Sequence, residues 1–266
     1  MTKDRILLTR FHETALRTIR IALACTLLIV LSAATFSRNI LWKDAINLLV
    51  DVRNKSPFKA RVHGNLGRLY AKRNMPEEAE KEYSKAIVCD PMFYLAYNNM
   101  GDLYFKAGRQ QEAILFFEKA ISLGFSNNED THKELAAMYG SAGDINKAVS
   151  HFQAALLIKQ TPQNYFNLGL ALYKNGQTER AIDQYRSAII LDPLYAAAYL
   201  NLANAYSEKG NRSEALINYQ KAVQINPRDA LIYYNLGVFY KKIGDKSNAT
   251  EAFKKAFEIN PDLLIK

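Results

Sequence analysis

From residue 60 onward, small, aromatic and aliphatic residues return to the same places about every 34 residues. Each period holds a run of the type Leu-Gly-x-x-Tyr, followed by a second run in which Ala, an aromatic residue and Ala stand four and three positions apart. Spacings of three and four positions place side chains on one face of an α-helix, so each period predicts two helices with apolar faces. A period of this length predicts stacked repeats rather than one globular core.

Two features within each period predict how its first helix, helix A, packs on its second, helix B. Small residues at the Gly67 and Ala79 positions are expected to let the two helices approach closely, while the aromatic ring at the Tyr83 position fills the space beside them. A glycine after helix A is expected to adopt the left-handed conformation that ends a helix. In five periods this glycine is Gly108, Gly143, Gly176, Gly210 or Gly244.

The pattern resembles the tetratricopeptide repeat, as in Leu66-Gly67-x-x-Tyr70 with Ala79-x-x-x-Tyr83-x-x-Ala86. The resemblance implies an all-α fold, a right-handed superhelix (α-solenoid) of about six helical hairpins. A half repeat over residues 41–58 precedes them. The third repeat is irregular, because residues 123–128 replace the proline that closes four of the others. The six full repeats are predicted to span residues 60–93, 94–128, 129–161, 162–195, 196–229 and 230–266.

Residues 21–36 carry no charge and follow a basic N-terminal segment over residues 1–20. Sixteen helical residues reach roughly 24 Å, and snorkelling arginines extend that reach toward a hydrocarbon core of about 30 Å. The pattern therefore predicts a signal-anchor transmembrane helix over residues 21–37 and a single-pass membrane protein. A cleaved signal peptide and a buried helix are the alternatives. Basic residues flank both ends of the segment, so the positive-inside rule does not decide its orientation.

The net charge of +9 and the isoelectric point near 9.3 raise the question of a nucleic-acid ligand. The basic residues after the N-terminal segment are interspersed with acids, as in Lys81-Glu82 and Glu118-Lys119. Such mixtures indicate solvated helix faces, and the sequence shows no basic stripe with interleaved aromatic residues. We therefore expect no nucleic-acid binding.

The sequence shows none of the residue constellations that an enzyme needs. His63 and His132 stand at the fourth repeat position, where Tyr stands in the other repeats, so they are predicted to replace Tyr in packing. His151 shares a repeat with His132, but a third metal ligand is missing from the sequence pattern. No phosphate-binding loop, nucleophile elbow or dinucleotide fingerprint occurs. We expect a protein that is not an enzyme and has no catalytic residues, bound metal or cofactor.

In tetratricopeptide proteins a concave groove is formed by the second, fifth, sixth, ninth, twelfth and thirteenth positions of each repeat, here called the groove positions. Five of the six sixth positions are Asn, and Glu134 interrupts the series. The series resembles the asparagine ladder of protein O-linked N-acetylglucosamine transferases, where amides grip the backbone of an extended peptide. An apolar and aromatic strip accompanies it. The candidate partner-binding residues are Asn65, Asn99, Asn167, Asn201, Asn235, Phe166, Leu170, Tyr173, Tyr234 and Val238.

Each groove feature has a plainer alternative. The amides could bond to a neighbouring helix, and part of the apolar strip could serve packing alone. The carboxylate clamp of chaperone-binding members does not match, because no Arg stands at a sixth position. Recognition of a chain-terminal acidic motif is therefore not expected.

The sequence as a whole predicts a membrane-anchored scaffold whose groove binds a protein or an extended peptide, with the repeats on the extracytoplasmic side. The junction from Ser37 to Asp44 is similar to that between membrane helices and repeats in multi-spanning glycosyltransferase-like proteins. The alternative is therefore an accessory or detached C-terminal part of a membrane glycosyltransferase that recruits acceptor proteins. Few residues follow Pro261, so self-association through an uncapped C-terminal hairpin is also expected.

Overall fold

The computed structural model describes residues 23, 26–33, 36 and 44–265, and the regular structure within them is entirely helical. Short turns join consecutive helices, which confirms the predicted all-α repeat architecture. A 3-10 helix, Pro261–Ile265, follows the last α-helix. The α-helices from residue 44 onward are α1 (Ala45–Lys55), α2 (Ala60–Lys72), α3 (Pro76–Cys89), α4 (Tyr94–Lys106), α5 (Gln110–Ser122), α6 (Glu129–Ser141), α7 (Ile145–Ile158), α8 (Pro162–Lys174), α9 (Thr178–Leu191), α10 (Ala196–Glu208), α11 (Arg212–Ile225), α12 (Ala230–Lys242) and α13 (Lys246–Ile259).

The predicted single-pass membrane protein with a transmembrane helix over residues 21–37 is wrong. Among the described residues, no helix combines the length and the apolar character needed to cross a bilayer. Within the predicted span, the structure describes residues 23, 26–33 and 36. The rest of the predicted span lies outside the described residues, as does the basic segment 1–20.

The chain forms two compact units, which we call unit 1 (residues 1–108) and unit 2 (residues 109–266). In the described part of unit 1, α2 and α3 form a hairpin, α1 packs on α2, and α4 packs on α3. The buried core of these helices includes Leu66, Tyr83 and Met100, together with fully buried alanines such as Ala79 and Ala96. Each helix therefore buries its apolar face against a neighbour in sequence, as stacked repeats require.

Unit 2 repeats the same hairpin along its length. The pairs α6–α7, α8–α9, α10–α11 and α12–α13 are the hairpins, and each hairpin packs on the next one. One continuous apolar core runs through α7 to α13. Its large, fully buried side chains include Leu172, Tyr185, Ile232 and Phe239.

Helix A approaches helix B closely at the predicted glycine position. A Cβ atom built on Gly67 would lie 2.6 Å from Tyr83 Cδ1 and 3.2 Å from the Ala79 carbonyl oxygen. A Cβ atom on Gly169 would lie 2.6 Å from Tyr185 Cε1. The aromatic ring therefore occupies the space that a side chain would need, which confirms the sequence interpretation.

The left-handed residue after helix A is also confirmed. Gly108, Gly143, Gly176, Gly210 and Gly244 have φ between 73° and 86°. The first repeat has Asn74 at the same place, with φ of 58°. Asn tolerates this conformation better than other side chains, because its short amide can bond locally.

Candidate functional site

The sixth-position asparagines lie on helix A of five repeats, namely α2, α4, α8, α10 and α12. Asn65 is exposed, and the other four side chains are half-buried. Two pockets, one within each unit, contain members of this set. Both pockets are lined in part by groove positions of two successive repeats, and they contain three of the candidate residues, Asn99, Asn167 and Leu170.

The pocket of unit 1 lies where α2, α3 and α4 meet and has a volume of about 470 Å³. Helix α2 contributes its ninth and thirteenth positions, and α4 contributes its sixth, ninth and thirteenth positions. Asn99 is the candidate residue in it. The polar side chains that line it are Arg68, Lys72, Asn74, Asn99, Asp102 and Lys106.

The pocket of unit 2 lies where α6, α7 and α8 meet and has a volume of about 230 Å³. It contains the candidates Asn167 and Leu170, together with Phe152 from α7. Small residues keep it open, since a Cβ atom on Gly140 would meet only the Ala148 Cβ, at 3.8 Å. Helix packing therefore leaves room for a side chain at Gly140, and the pocket occupies that room.

The side-chain amides of Asn201 and Asn235, in the fifth and sixth repeats, each form a hydrogen bond with their own helix rather than with a neighbouring one. Asn201 Nδ2 donates to the Ala197 carbonyl oxygen at 2.8 Å, and Asn235 Nδ2 donates to the Leu231 carbonyl oxygen at 2.8 Å. Each of these hydrogen bonds uses one of the two N–H groups of the amide and does not involve the amide oxygen. Asn218 on helix B makes the same bond to the Glu214 carbonyl oxygen, so this geometry is a local property of Asn in a helix.

Asn167 is held differently from the other sixth-position amides. Its Oδ1 accepts a hydrogen bond from Gln163 Nε2 at 2.8 Å, one helical turn earlier. Gln163 Oε1 in turn accepts from the Tyr195 hydroxyl at 2.8 Å. The bond with Gln163 uses the amide oxygen of Asn167 and does not involve its two N–H groups.

The apolar strip divides into packed and exposed members. Phe166, Leu170 and Tyr173 pack against the core of unit 2, and the Phe166 ring centroid lies 5.0 Å from that of Tyr195. Tyr234 and Val238 on α12 are 36% and 45% exposed. A partner therefore has freer access to the α12 end of the strip.

Two tyrosines among the groove and pocket residues stay protonated well above neutral pH. Burial and a hydrogen bond with Glu208 raise the pKa of Tyr173 to about 12. Burial and the nearby Asp102 carboxylate raise the pKa of Tyr83 to about 12. In both cases burial is the larger cause, because it disfavours the charged phenolate.

His63 and His132 are buried at the fourth position, as predicted, but they do more than fill the place of Tyr. His63 Nδ1 lies 2.6 Å from Glu82 Oε2, and His132 Nδ1 lies 3.0 Å from His151 Nδ1. Sequence reasoning missed both bonds. The available signal was the equal separation of 19 residues, which places one polar residue on helix A opposite one on helix B.

Glu82 is 3% exposed and gathers three cationic or imidazole groups. Arg53 Nη1, Lys85 Nζ and His63 Nδ1 lie 3.1, 2.8 and 2.6 Å from its carboxylate oxygens. Burial by itself would raise the pKa of Glu82, but the hydrogen bonds from Lys85 and His63 outweigh burial and hold the pKa below its usual value. The cluster ties α1, α2 and α3 together. Among the described residues, no group of three or more His, Cys, Asp or Glu side chains could hold a metal ion.

Comparison with known proteins identifies the repeats. Models of the tetratricopeptide repeat match residues 60–88, 94–126 and 230–263, and a model described as TPR repeat matches 169–210 and 203–244. Together these stretches cover more than half of the chain.

Two curated relatives come from Caenorhabditis elegans. Stress-induced-phosphoprotein 1 is 27% identical in an alignment of 163 residues that covers 48% of this chain and 51% of that protein. Protein O-mannosyl-transferase F38B6.6 is 32% identical over 71 residues, which make up 27% of this chain and 10% of that protein. The chain thus spans about half of the first relative's length and a tenth of the second's.

Solved structures show the same fold. The crystal structure of MamA is 27% identical, with a TM-score of 0.56, and the match covers 63% of this chain and 98% of that one. The structure of YrrB, described as a TPR protein with an unusual peptide-binding site, is 24% identical, with a TM-score of 0.57, and covers 69% of this chain and 94% of that one. Signature residues, helix pairs and matches agree, and the chain belongs to the tetratricopeptide repeat family.

Proposed function

We propose that the groove positions of this chain bind an extended polypeptide, and that the protein acts as a scaffold rather than as an enzyme. The observation that carries the proposal is the set of sixth-position amides. Asn201 and Asn235 are oriented by their own helices, so each amide is positioned before a ligand arrives. An amide with a remaining N–H and an oxygen can pair with peptide C=O and N–H groups whatever the side chains are.

The apolar residues beside the amides supply contact area for the ligand side chains. Val238 and Tyr234 are the more exposed members, and Leu170 lines the unit 2 pocket. Phe166 and Tyr173 add aromatic surface while they pack on the core. Asn65 and Asn99 extend the same amide position into unit 1. Support from known proteins comes from the YrrB structure, whose description names a peptide-binding site.

The proposal can be tested with a displayed library of random peptides and the full chain as bait. The affinity of selected peptides is then measured by fluorescence anisotropy for the wild type, Asn201→Ala, Asn235→Ala and the matched control Asn218→Ala. The control loses the same hydrogen bond to its own helix, but on helix B. We expect roughly two- to tenfold weaker binding for each groove variant, the equivalent of one net hydrogen bond of about 0.5–1.5 kcal/mol.

The triple variant Asn167→Ala, Asn201→Ala, Asn235→Ala should weaken binding further, with helical circular dichroism unchanged. Equal affinity of the triple variant and Asn218→Ala for every selected peptide would contradict the proposed role of the amides. Failure of the library to yield any binder would contradict the proposed function itself.

A second candidate function is the selection of acceptor proteins for a glycosyltransferase encoded elsewhere. The match to an O-mannosyl-transferase over 71 residues favours it. If it holds, polypeptides bound by the chain should carry O-linked hexose far more often than the starting extract. An equal frequency of modification in the bound and unbound fractions would exclude this candidate.

Self-association is a separate proposal for the last hairpin. A groove of about 550 Å³ between α12 and α13 is lined by Tyr233, Leu236 and Tyr240, among others, and could receive a helix of a second copy. Sedimentation that shows only monomer across a wide concentration range would contradict it.

A further inference from the structure

The two groove pockets share a common frame. The sixth position of the second helix A is Asn99 in unit 1 and Asn167 in unit 2, and its thirteenth position is Lys106 or Lys174. Each pocket therefore offers an amide and a lysine in the same places. The shared amide and lysine do not select a particular sequence, because they can form hydrogen bonds with the backbone of any polypeptide or with a single polar group.

The pockets differ at two positions of the preceding helix A. Its ninth and thirteenth positions are Arg68 and Lys72 in unit 1, but Ala137 and Ser141 in unit 2. The unit 1 pocket therefore has three cationic side chains against the single carboxylate of Asp102. The unit 2 pocket has one cation, Lys174, and apart from the Asn167 amide it is lined by small and apolar residues.

The cations of the unit 1 pocket are not neutralised by their surroundings. Within residues 44–108, Arg53, Lys55, Arg73 and Lys85 all form ion pairs with nearby carboxylates. Arg68, Lys72 and Lys106 form none, and all three side chains are exposed. Three cations around one pocket make the electrostatic potential in it positive and repel one another. An anion that binds there is attracted by this potential and reduces the repulsion.

The pocket also offers an uncharged donor, the half-buried Asn99 amide. Tyr83, which is almost fully buried, lines the same pocket. A carboxylate accepts from guanidinium, ammonium and amide groups together, and such charge-assisted bonds are the stronger kind. The volume of about 470 Å³ admits an acidic side chain with its adjoining backbone.

We propose that the unit 1 pocket selects an acidic side chain, aspartate or glutamate, of an extended peptide, and that Arg68 and Lys72 are its specificity-determining residues. This inference rests on the proposed peptide-binding function and adds the chemistry of the ligand. The unit 1 pocket binds a side chain within the peptide, whereas a carboxylate clamp binds the carboxylate at the end of the chain. The unit 2 pocket, which lacks both cations, accepts a neutral or apolar side chain at the matching place.

The experiment compares two labelled peptides of about twelve residues, roughly 40 Å when extended, on the full chain. One alternates glutamate with alanine and the other alternates glutamine with alanine, and both are acetylated and amidated so that terminal charges are absent. The variants are Arg68→Gln with Lys72→Gln, and a matched control, Lys59→Gln with Lys81→Gln. Both pairs remove two exposed, unpaired cations from unit 1, but only the first pair lines the pocket.

The glutamate peptide should bind the wild type more tightly than the glutamine peptide, and added salt should reduce the difference. The pocket variant should weaken glutamate-peptide binding by about five- to thirtyfold, the sum of two ion pairs of roughly 0.5–1 kcal/mol each. Its affinity for the glutamine peptide should not change, and the control pair should weaken the glutamate peptide less than about twofold, because distant exposed charges are screened.

Four results would overturn the inference. Equal wild-type affinity for both peptides, with loss of both in the triple asparagine variant, would leave the proposed function standing but remove the acidic preference. Equal effects of the pocket and control variants would show that net charge alone is responsible. Displacement of the glutamate peptide by inorganic phosphate or a single-stranded oligonucleotide at lower concentration than by unlabelled peptide would assign the pocket to phosphate. Binding of neither peptide would remove the inference together with the proposed function.

Discussion

The Nδ1 atoms of His132 and His151 lie 3.0 Å apart and join α6 to α7. His132 Nε2 lies 3.1 Å from the Ser126 carbonyl oxygen, which can only accept, so this nitrogen carries the proton. When His132 is neutral, its Nδ1 therefore accepts a hydrogen bond from the N–H group at His151 Nδ1. The bond depends on at least one neutral imidazole, whereas the equivalent bond in unit 1 joins His63 to the Glu82 carboxylate.

The histidine pair should make unit 2 sensitive to mild acid. Burial lowers the pKa of His151 below its usual value, and the charges of His132 and Lys147 act in the same direction, against Glu118. His151 binds a proton more readily in the unfolded state than in the folded state. The contribution of neutral His151 to folding stability is therefore complete above the unfolded pKa of about 6.5, and it is lost as the pH falls through the folded pKa. Amide hydrogen exchange in α6 and α7 should speed up on acidification more in the wild type than in His151→Gln, once corrected for intrinsic rates. Identical pH responses of the two proteins would contradict this prediction.

Replacement of Glu82 should destabilise unit 1. Glu82→Gln removes the charge that compensates Arg53 and Lys85 and leaves the buried His63 without a carboxylate. Breaking a buried ion pair costs about 3–5 kcal/mol, and the partial exposure of Arg53 and Lys85 reduces our expectation to roughly 2–3 kcal/mol. Urea unfolding followed by circular dichroism measures the change. The exposed Glu78→Gln serves as the control, and a loss no larger than the control's would refute the structural role of the cluster.

Two glycine-to-alanine changes in helix A should have opposite effects. The new Cβ of Gly169→Ala would lie 2.6 Å from Tyr185 Cε1, whereas that of Gly140→Ala would meet only Ala148 Cβ at 3.8 Å. Overpacking costs about 1–3 kcal/mol, while alanine in a helix interior gains about 0.5–1 kcal/mol. We expect a lower melting temperature for Gly169→Ala and an equal or higher one for Gly140→Ala. A lower melting temperature for both variants would contradict the packing argument.

Glycine in place of Asn74 should stabilise the first hairpin. Asn74 has φ of 58°, where the other repeats have glycine with φ above 70°. The left-handed conformation costs a residue with a Cβ about 1 kcal/mol, less for Asn, so Asn74→Gly is expected to gain up to roughly 1 kcal/mol. Asn74→Ala should lose stability by a similar amount. Denaturant unfolding of both variants tests the order, and a wild type more stable than Asn74→Gly would reverse it.

Much of the fold could be predicted because contacts in a repeat array are local in sequence. The ring of Tyr83 meets Gly67 within one repeat, and Tyr185 meets Gly169 in the same way. A pattern that recurs six times therefore predicts each close approach. The predicted membrane span was wrong, because no helix among the described residues has both the length and the apolar character that a bilayer requires.

The partner-binding role of the groove residues stays a prediction, and their surroundings could not be predicted from spacing. The groove positions are fixed by helical spacing, and the structure places Asn99, Asn167 and Leu170 in pockets. Leu200, at the same repeat position as the exposed Tyr234, is only 6% exposed, because its burial depends on the neighbouring repeat. Spacing alone could not separate these two cases.

The sequence by itself determined the helices, the hairpin unit, the turn glycines and the face that carries the asparagines, because each follows from local spacing and backbone sterics. Only the tertiary structure decided which charges are paired. Arg53 reaches Glu82 and Arg73 reaches Asp44, each across 29 residues, while Arg68 remains unpaired beside a pocket. Ion pairing depends on distances between helices, and these distances exist only after the repeats have packed.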